Sequence, residues 1–336
     1  MLKRVVAIIL SAAMILAIAG TAMAANEGKT YKWTIGNVLA ADQPWDIGLN
    51  YFADKLEEYS DGRITATVIS GGALGSEVEM LQQVSDGTLD ISICSTPSMS
   101  GFNDTQWYFD LPYLFKTVPS AWAVMDSWLK QDRCDALVGT GFHGLGYMEN
   151  GTYMIATNIR AEHPEDLKGQ RIRAHSSQLQ CDSLAAFGAE PLSVAWGDIY
   201  TSLQNGTIDG VSGTTLTNMF GGKFYEQVKY ITMTNHHFIP ALTVMNEDLW
   251  DSLSDEDKEI VTKAWDEAVV YQRQVAFDYA DDAKQQIIDS GVEIIEIDPD
   301  EWAAASASVY DAWVGTHGIE QELIDKIRAS EAEVLK

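Results

Sequence analysis

Two arginines spaced two apart, Arg171 and Arg173 in the segment QRIRAHS, are the residues of this chain best suited to specific chemistry. Side chains alternate along an extended strand, so both would stand on one face while Ile172 enters the opposite packing layer. A guanidinium presents a rigid, two-pronged donor set that gives a carboxylate both charge complementarity and orientation. Positive charge is scarce here, which makes it informative. The 336 residues carry 22 Lys and Arg against 49 Asp and Glu, a formal net charge of −27. Such an acidic chain repels phosphate backbones, so no nucleic-acid partner is expected, and a basic site must focus its attraction locally against the global field.

No local signature of catalysis accompanies the arginines. GxSxG, HExxH and GxxxxGK patterns are all missing from the sequence. The six histidines are scattered, and the side chains of the adjacent pair His236-His237 would not face one ligand in a strand. Acidic residues are too numerous for any pair of them to stand out. Cys94, Cys134 and Cys181 are too few for a disulfide scaffold and form no CxxC or Cys/His cluster. They are compatible with three thiols or with one disulfide whose partners spacing does not choose. The sequence therefore predicts no enzyme, no cofactor and no metal.

The elements that must position these residues follow a repeated strand and helix rhythm. At the start, Lys3 and Arg4 precede an apolar run from Val5 to Ala19 and the small-residue exit Ala22-Met23-Ala24, which predicts a signal peptide over residues 1–24 and an exported, soluble mature chain. Its removal takes the formal charge from −27 to −29, because the segment holds two basic residues and no acid. From Tyr31 onward, YKWTIG, RITATVI and LDISIC read as strands separated by helices around Trp45–Leu56 and Glu77–Ser85. A second set begins with MIAT and QRIRAHS, continues through a helix over Ser177–Phe187, and includes VKYITMT. Such units predict parallel sheets covered by helices, that is, an α/β protein.

Near the C-terminus, Ser254 and Asp257 form a capping pattern, and Ala264, Trp265, Ala268, Val269, Ala276, Ala283 and Ile287 keep one apolar stripe until Gly291. With no Pro or Gly inside, this predicts one bent helix of roughly 50 Å at about 1.5 Å per residue, long enough to touch two lobes. The expected organisation is a first domain over 30–150 and 239–278 and a second over 151–238 and 279–330. The ligand is expected in the cleft between them.

The stretches GGALGSEVEMLQQVSDGTLDISI, FDLPYLF, HPEDLKGQRIR, GDIYTSLQNGTIDG and FYEQVKYITMTNH, in this order and spacing, resemble the extracytoplasmic solute-binding component of the tripartite ATP-independent periplasmic (TRAP) transporters, DctP type, over essentially the whole mature chain. That resemblance implies a two-lobed periplasmic-binding-protein fold with a long helix along both lobes. It also implies capture of a small organic acid without turnover, and delivery to the membrane permease subunits of an ion-coupled secondary transporter. A periplasmic monomer is the expected state. By the same resemblance, Arg173 clamps the ligand carboxylate, Trp196 in VAWGDIY covers it, and Glu77 in LGSE supplies polar contacts; Ser95 lies where the first lobe lines the cleft. Two positions depart from the pattern. Tyr153 in ENGTYM stands where a second arginine is frequent, and Gly213 in DGVSGT where an asparagine is frequent. The loss of a second cation favours a monocarboxylate with an apolar or aromatic part over a dicarboxylate. The same bilobal form would also suit a receptor for a sensor kinase, or a secreted enzyme acting on an organic acid.

Overall fold

The computed structural model describes residues 28–336, so the expected signal peptide lies outside the described residues. Two sheets divide the chain. In the first, β1 (Tyr31–Gly36), β2 (Ile64–Ile69) and β3 (Ile91–Ser95) are parallel, and β4 (Phe142–Met148) and β3 both flank the antiparallel β10 (Ala241–Asn246), giving the order β2-β1-β3-β10-β4. In the second, β5 (Ile155–Thr157) is antiparallel to both β8 (Gly210–Val211) and β9 (Tyr230–Thr232), while β6 (Arg171–Ala174) runs parallel to β8 and to β7 (Glu190–Ser193). With β11 (Glu293–Ile295) closing the edge beside β9, its order is β11-β9-β5-β8-β6-β7. Strand β10 carries six consecutive buried residues, ALTVMN. A strand covered on both faces loses the polar and apolar alternation that marks a half-buried one, so its sequence offers no period to detect.

Two connections cross between the lobes, over residues 149–154 and 233–240, and they are stitched together. Tyr153 N–H donates to the His237 carbonyl at 2.9 Å, and Ile239 N–H to the Gly151 carbonyl at 3.1 Å. The third link is the long helix Asp255–Asp289, a single element capped by Ser254, whose hydroxyl accepts from Asp257 N–H. Ala264, Trp265 and Ala268 sit in the first core, and Ile287 sits in the second. Midway along it, the Gln272 amide grips the hinge backbone on both sides, its Oε1 accepting from Glu149 N–H and its Nε2 donating to the Glu149 carbonyl, each at 2.8 Å. Gly48 of the helix Pro44–Tyr59 permits this approach, because a Cβ there would stand 2.5 Å from Gln272 Cγ.

After β11 the chain leaves the second lobe. Trp302 fills a second-lobe core beside Phe187, but Ile324 and Ile327 of the helix Gln321–Val334 pack in the first core, and Glu331 accepts from Ser120 and from Lys116 N–H. The sequence-based division assigned residues 279–330 to the second domain as a block. An amphipathic helix carries a stripe to be buried but does not record which core receives it. Cys94, Cys134 and Cys181 are all free thiols.

Candidate functional site

Parallel strands β1, β2 and β3 of one lobe and β6, β7 and β8 of the other point their C-terminal ends toward a common cleft of about 430 Å³. The lining comes from these strand ends and the segments just beyond them: Val38 and Leu39 after β1, Glu77 beyond β2, Ser95 and Ser98 at the end of β3, Arg173 and His175 on β6 and just past it, Val194 and Trp196 after β7, and Gly213 and Asn218 after β8. Open α/β sheets place their ligand crevices at the carboxyl ends of their strands because the connecting turns and helix N-termini leave unpaired donors there.

All six residues singled out from the sequence, Arg173, Trp196, Tyr153, Glu77, Gly213 and Ser95, line this one cleft. Arg173 is only 2% exposed. Its Nε donates to the Val194 carbonyl at 2.9 Å, and its Nη1 to the carbonyls of Gly213 at 2.7 Å and Ser212 at 3.3 Å. Nη2 has no hydrogen-bond partner among the described residues, so three backbone carbonyls hold the guanidinium while one prong is left for the cleft. Burial lowers its pKa to about 10, which keeps it charged at neutral pH. Gly213 serves this arrangement through its backbone. Its φ is +67°, and a Cβ there would lie 2.7 Å from Arg173 Nη1. Arg171 faces a different environment: Nε and Nη2 form a two-pronged pair with Asp209 at 2.9 and 2.7 Å, and Nη2 also reaches the Gly206 carbonyl. It is an ordinary ion pair outside the cleft.

Across from Arg173, Glu77 opens the helix Glu77–Ser85, whose N-cap Ser76 and Glu79 form a reciprocal capping box. Its carboxylate accepts from Ser95 N–H at 3.2 Å, Ser95 Oγ at 2.7 Å and Ser98 Oγ at 2.5 Å. Burial alone would raise the Glu77 pKa, but His175 and these two hydroxyls outweigh it and hold the group below its ordinary value. Tyr153, buried on the hinge, has its phenol pushed up by the same desolvation. Trp196 is half-buried against Phe224, ring centroids 4.9 Å apart, and leaves part of its indole toward the cleft.

Among the cleft residues that escaped sequence reasoning are His175, Asn150 and Asn218. His175 lies two beyond Arg173, so extending the alternation of the strand by one step would have found it. Asn150 and Asn218 meet across the hinge, Asn218 Nδ2 donating to Asn150 Oδ1 at 2.9 Å; their approach comes from the crossing of chains and has no local signal.

A cleft between two hinged α/β lobes, floored by a buried arginine and polar groups, defines a solute-binding receptor. The chain belongs to the bacterial extracellular solute-binding protein family 7 (DctP), whose family model matches residues 35–316, and it is a DctP-type TRAP receptor for organic acids. It is 31% identical over 255 residues, 74% of this chain and 76% of the relative, to the 2,3-diketo-L-gulonate-binding periplasmic protein YiaO of Escherichia coli K12. A TRAP periplasmic solute-binding protein from Pseudomonas putida F1 with bound D-glucuronate superposes with a TM-score of 0.85 at 26% identity, covering 89% of this chain and 97% of that one. Another, from Bordetella bronchispeptica with density ascribed to pantoate, gives a TM-score of 0.85 at 28% identity, covering 90% and 99%. Among the described residues no helix is long and apolar enough to cross a membrane.

Proposed function

We propose that this receptor captures a hydroxylated monocarboxylate of sugar-acid size in the periplasm, binds it without chemical turnover, and hands it to the permease subunits of an ion-coupled transporter. The observation that carries the reading is the buried Arg173, fixed by three carbonyls with one prong left over. A second carboxylate would meet Glu77 and the uncharged Tyr153 rather than a second cation, so a dicarboxylate is disfavoured. The apolar or aromatic part expected from Tyr153 and Gly213 narrows to one apolar face. Trp196, Val38 and Leu39 offer a surface for carbon, while Asn150, Asn218, Ser98 and Ser193 on the rest of the lining suit hydroxyls. The acids named for the similar structures from Pseudomonas putida and Bordetella bronchispeptica, D-glucuronate and pantoate, are of this chemical kind.

A thermal-shift screen of the mature chain with D-glucuronate, D-galacturonate, D-erythronate, pantoate and succinate tests this. A ligand at about a hundredfold above its Kd adds about 2.7 kcal/mol to apparent stability. The expected winner is a monocarboxylate; a larger shift with succinate than with any of the others would sink the proposal.

A further inference from the structure

His175 joins the two lobes through hydrogen bonds whose direction can be assigned. Ser176 N–H donates to His175 Nδ1 at 2.8 Å, so in the neutral ring the proton resides on Nε2. Nε2 lies 2.9 Å from Ser95 Oγ, and Ser95 Oγ in turn donates to Glu77 Oε2 at 2.7 Å; Nε2 is also 3.4 Å from that carboxylate oxygen. The ordered chain runs from His175 of the second lobe through Ser95 to Glu77 of the first. It crosses the cleft that Arg173, two residues back, also lines.

The charges near this ring are few. Glu77 faces it from the first lobe and Arg173 from its own strand, Tyr153 stands at the hinge, and Asp198 lines the same cleft. Asp110 is bonded to Ser177 and Gln180 just beyond. Burial first, and then the charge of Arg173, lower the His175 pKa in the ligand-free protein despite Glu77, so the imidazole is neutral and Arg173 balances Glu77. An anion arriving on Arg173 upsets that balance. It cancels the repulsion that Arg173 exerts on a protonated ring and leaves a buried site with one excess negative charge, a costly state in a poorly solvated cleft.

We propose that His175 is the proton-binding group of this cleft, taking up one proton as an anionic ligand seats on Arg173 so that two cations face two anions. The proton enters on Nδ1. Ser176 Oγ, 3.2 Å away on an exposed residue, turns to accept it, and Ser176 N–H gives up its bond to the ring. The proposal rests on the reading of Arg173 as the carboxylate anchor. The sign is set by linkage: the pKa of His175 is higher in the complex than in the free protein, so affinity is greatest below the free-state pKa and declines as pH rises through the complex-state pKa.

Two measurements decide it. Calorimetry of the mature chain with the acid giving the largest thermal shift, in two buffers of different ionisation enthalpy, should show net proton uptake near neutral pH, with Kd tightening by up to about tenfold per pH unit as pH falls. His175→Gln should remove both the uptake and the slope. Buffer-independent enthalpies with confirmed binding would overturn the proposal. Separately, imidazole NMR titration of the ligand-free chain should show the His175 pKa falling in Glu77→Gln, and an unchanged titration would equally overturn it. Because the resonance belongs to the ring itself, titration of Asp110 is not mistaken for it. Should none of the five acids bind, the reading of Arg173 as the carboxylate anchor fails and the proposal that rests on it fails with it, whereas binding without proton uptake overturns the proposal alone.

Discussion

The two walls of the cleft differ in how their polar groups are satisfied. On the first-lobe wall, Glu77 is surrounded by donors from its own lobe, Ser95 and Ser98, and its helix is closed by a capping box. That wall draws its hydrogen bonds to Glu77 from within the lobe, and His175 across the cleft adds to them in holding the carboxylate charged. On the second-lobe wall, Arg173 has its Nε and Nη1 occupied by carbonyls but keeps one prong free, and the Nε2 of the nearby His175 finds its partner only across the cleft. A buried charge-bearing donor without a full set of acceptors is costly, and the ligand carboxylate proposed above would relieve that cost. The asymmetry teaches that the second lobe should dominate ligand affinity, whereas the first lobe supplies a preformed surface on which closure is completed.

The largest expected effect breaks the second wall at its centre. Arg173→Lys keeps a positive charge but loses the planar donors that three carbonyls occupy and that the proposed ligand carboxylate would share, so binding of the best acid should weaken by about 2 kcal/mol, roughly thirtyfold in Kd. Calorimetry measures it, with circular dichroism confirming the fold; unaltered affinity would show that the carboxylate sits elsewhere.

A smaller effect is expected when the support of that arginine is disturbed rather than the arginine itself. Gly213→Ala places a methyl 2.7 Å from Nη1 and does so on a backbone at φ +67°, which L residues adopt poorly. Affinity should fall about tenfold and stability by about 1 kcal/mol, read by calorimetry and urea unfolding respectively. A loss of stability with normal affinity would show that the guanidinium tolerates displacement.

The smallest effect belongs to Arg171→Lys. Its partner Asp209 lies outside the cleft and its side chain is 41% exposed. A substitution in a surface ion pair changes stability by less than about 1 kcal/mol, and the Kd should stay within about twofold of the parent. If Arg171→Lys weakened binding while Arg173→Lys did not, the roles assigned to the two ends of β6 would be exchanged.

Much of this was legible in the chain itself, because it depends on short-range periodicity and on residue chemistry. Two-residue alternation put Arg171 and Arg173 on one face, 3.6-residue periodicity marked the Asp255–Asp289 helix as one element, and the scarcity of basic residues made those arginines conspicuous. What separates Arg171 from Arg173 was not local: the first meets Asp209 and the second meets three carbonyls from β7 and β8 connections, a difference set by where neighbouring strands end. The same holds for β10, whose uniformly buried face erases its period, and for the helix Gln321–Val334, whose apolar stripe would suit either core. His175 stands between the two cases. Strand alternation places it beside Arg173, but its bonds to Ser95 and Glu77 exist only because two lobes, built from segments distant in sequence, close on each other. Local pattern determines what a residue can do; the long-range meeting of strand ends decides which partner it has, since hydrogen bonds and desolvation act over a few ångströms in space and are indifferent to separation along the chain.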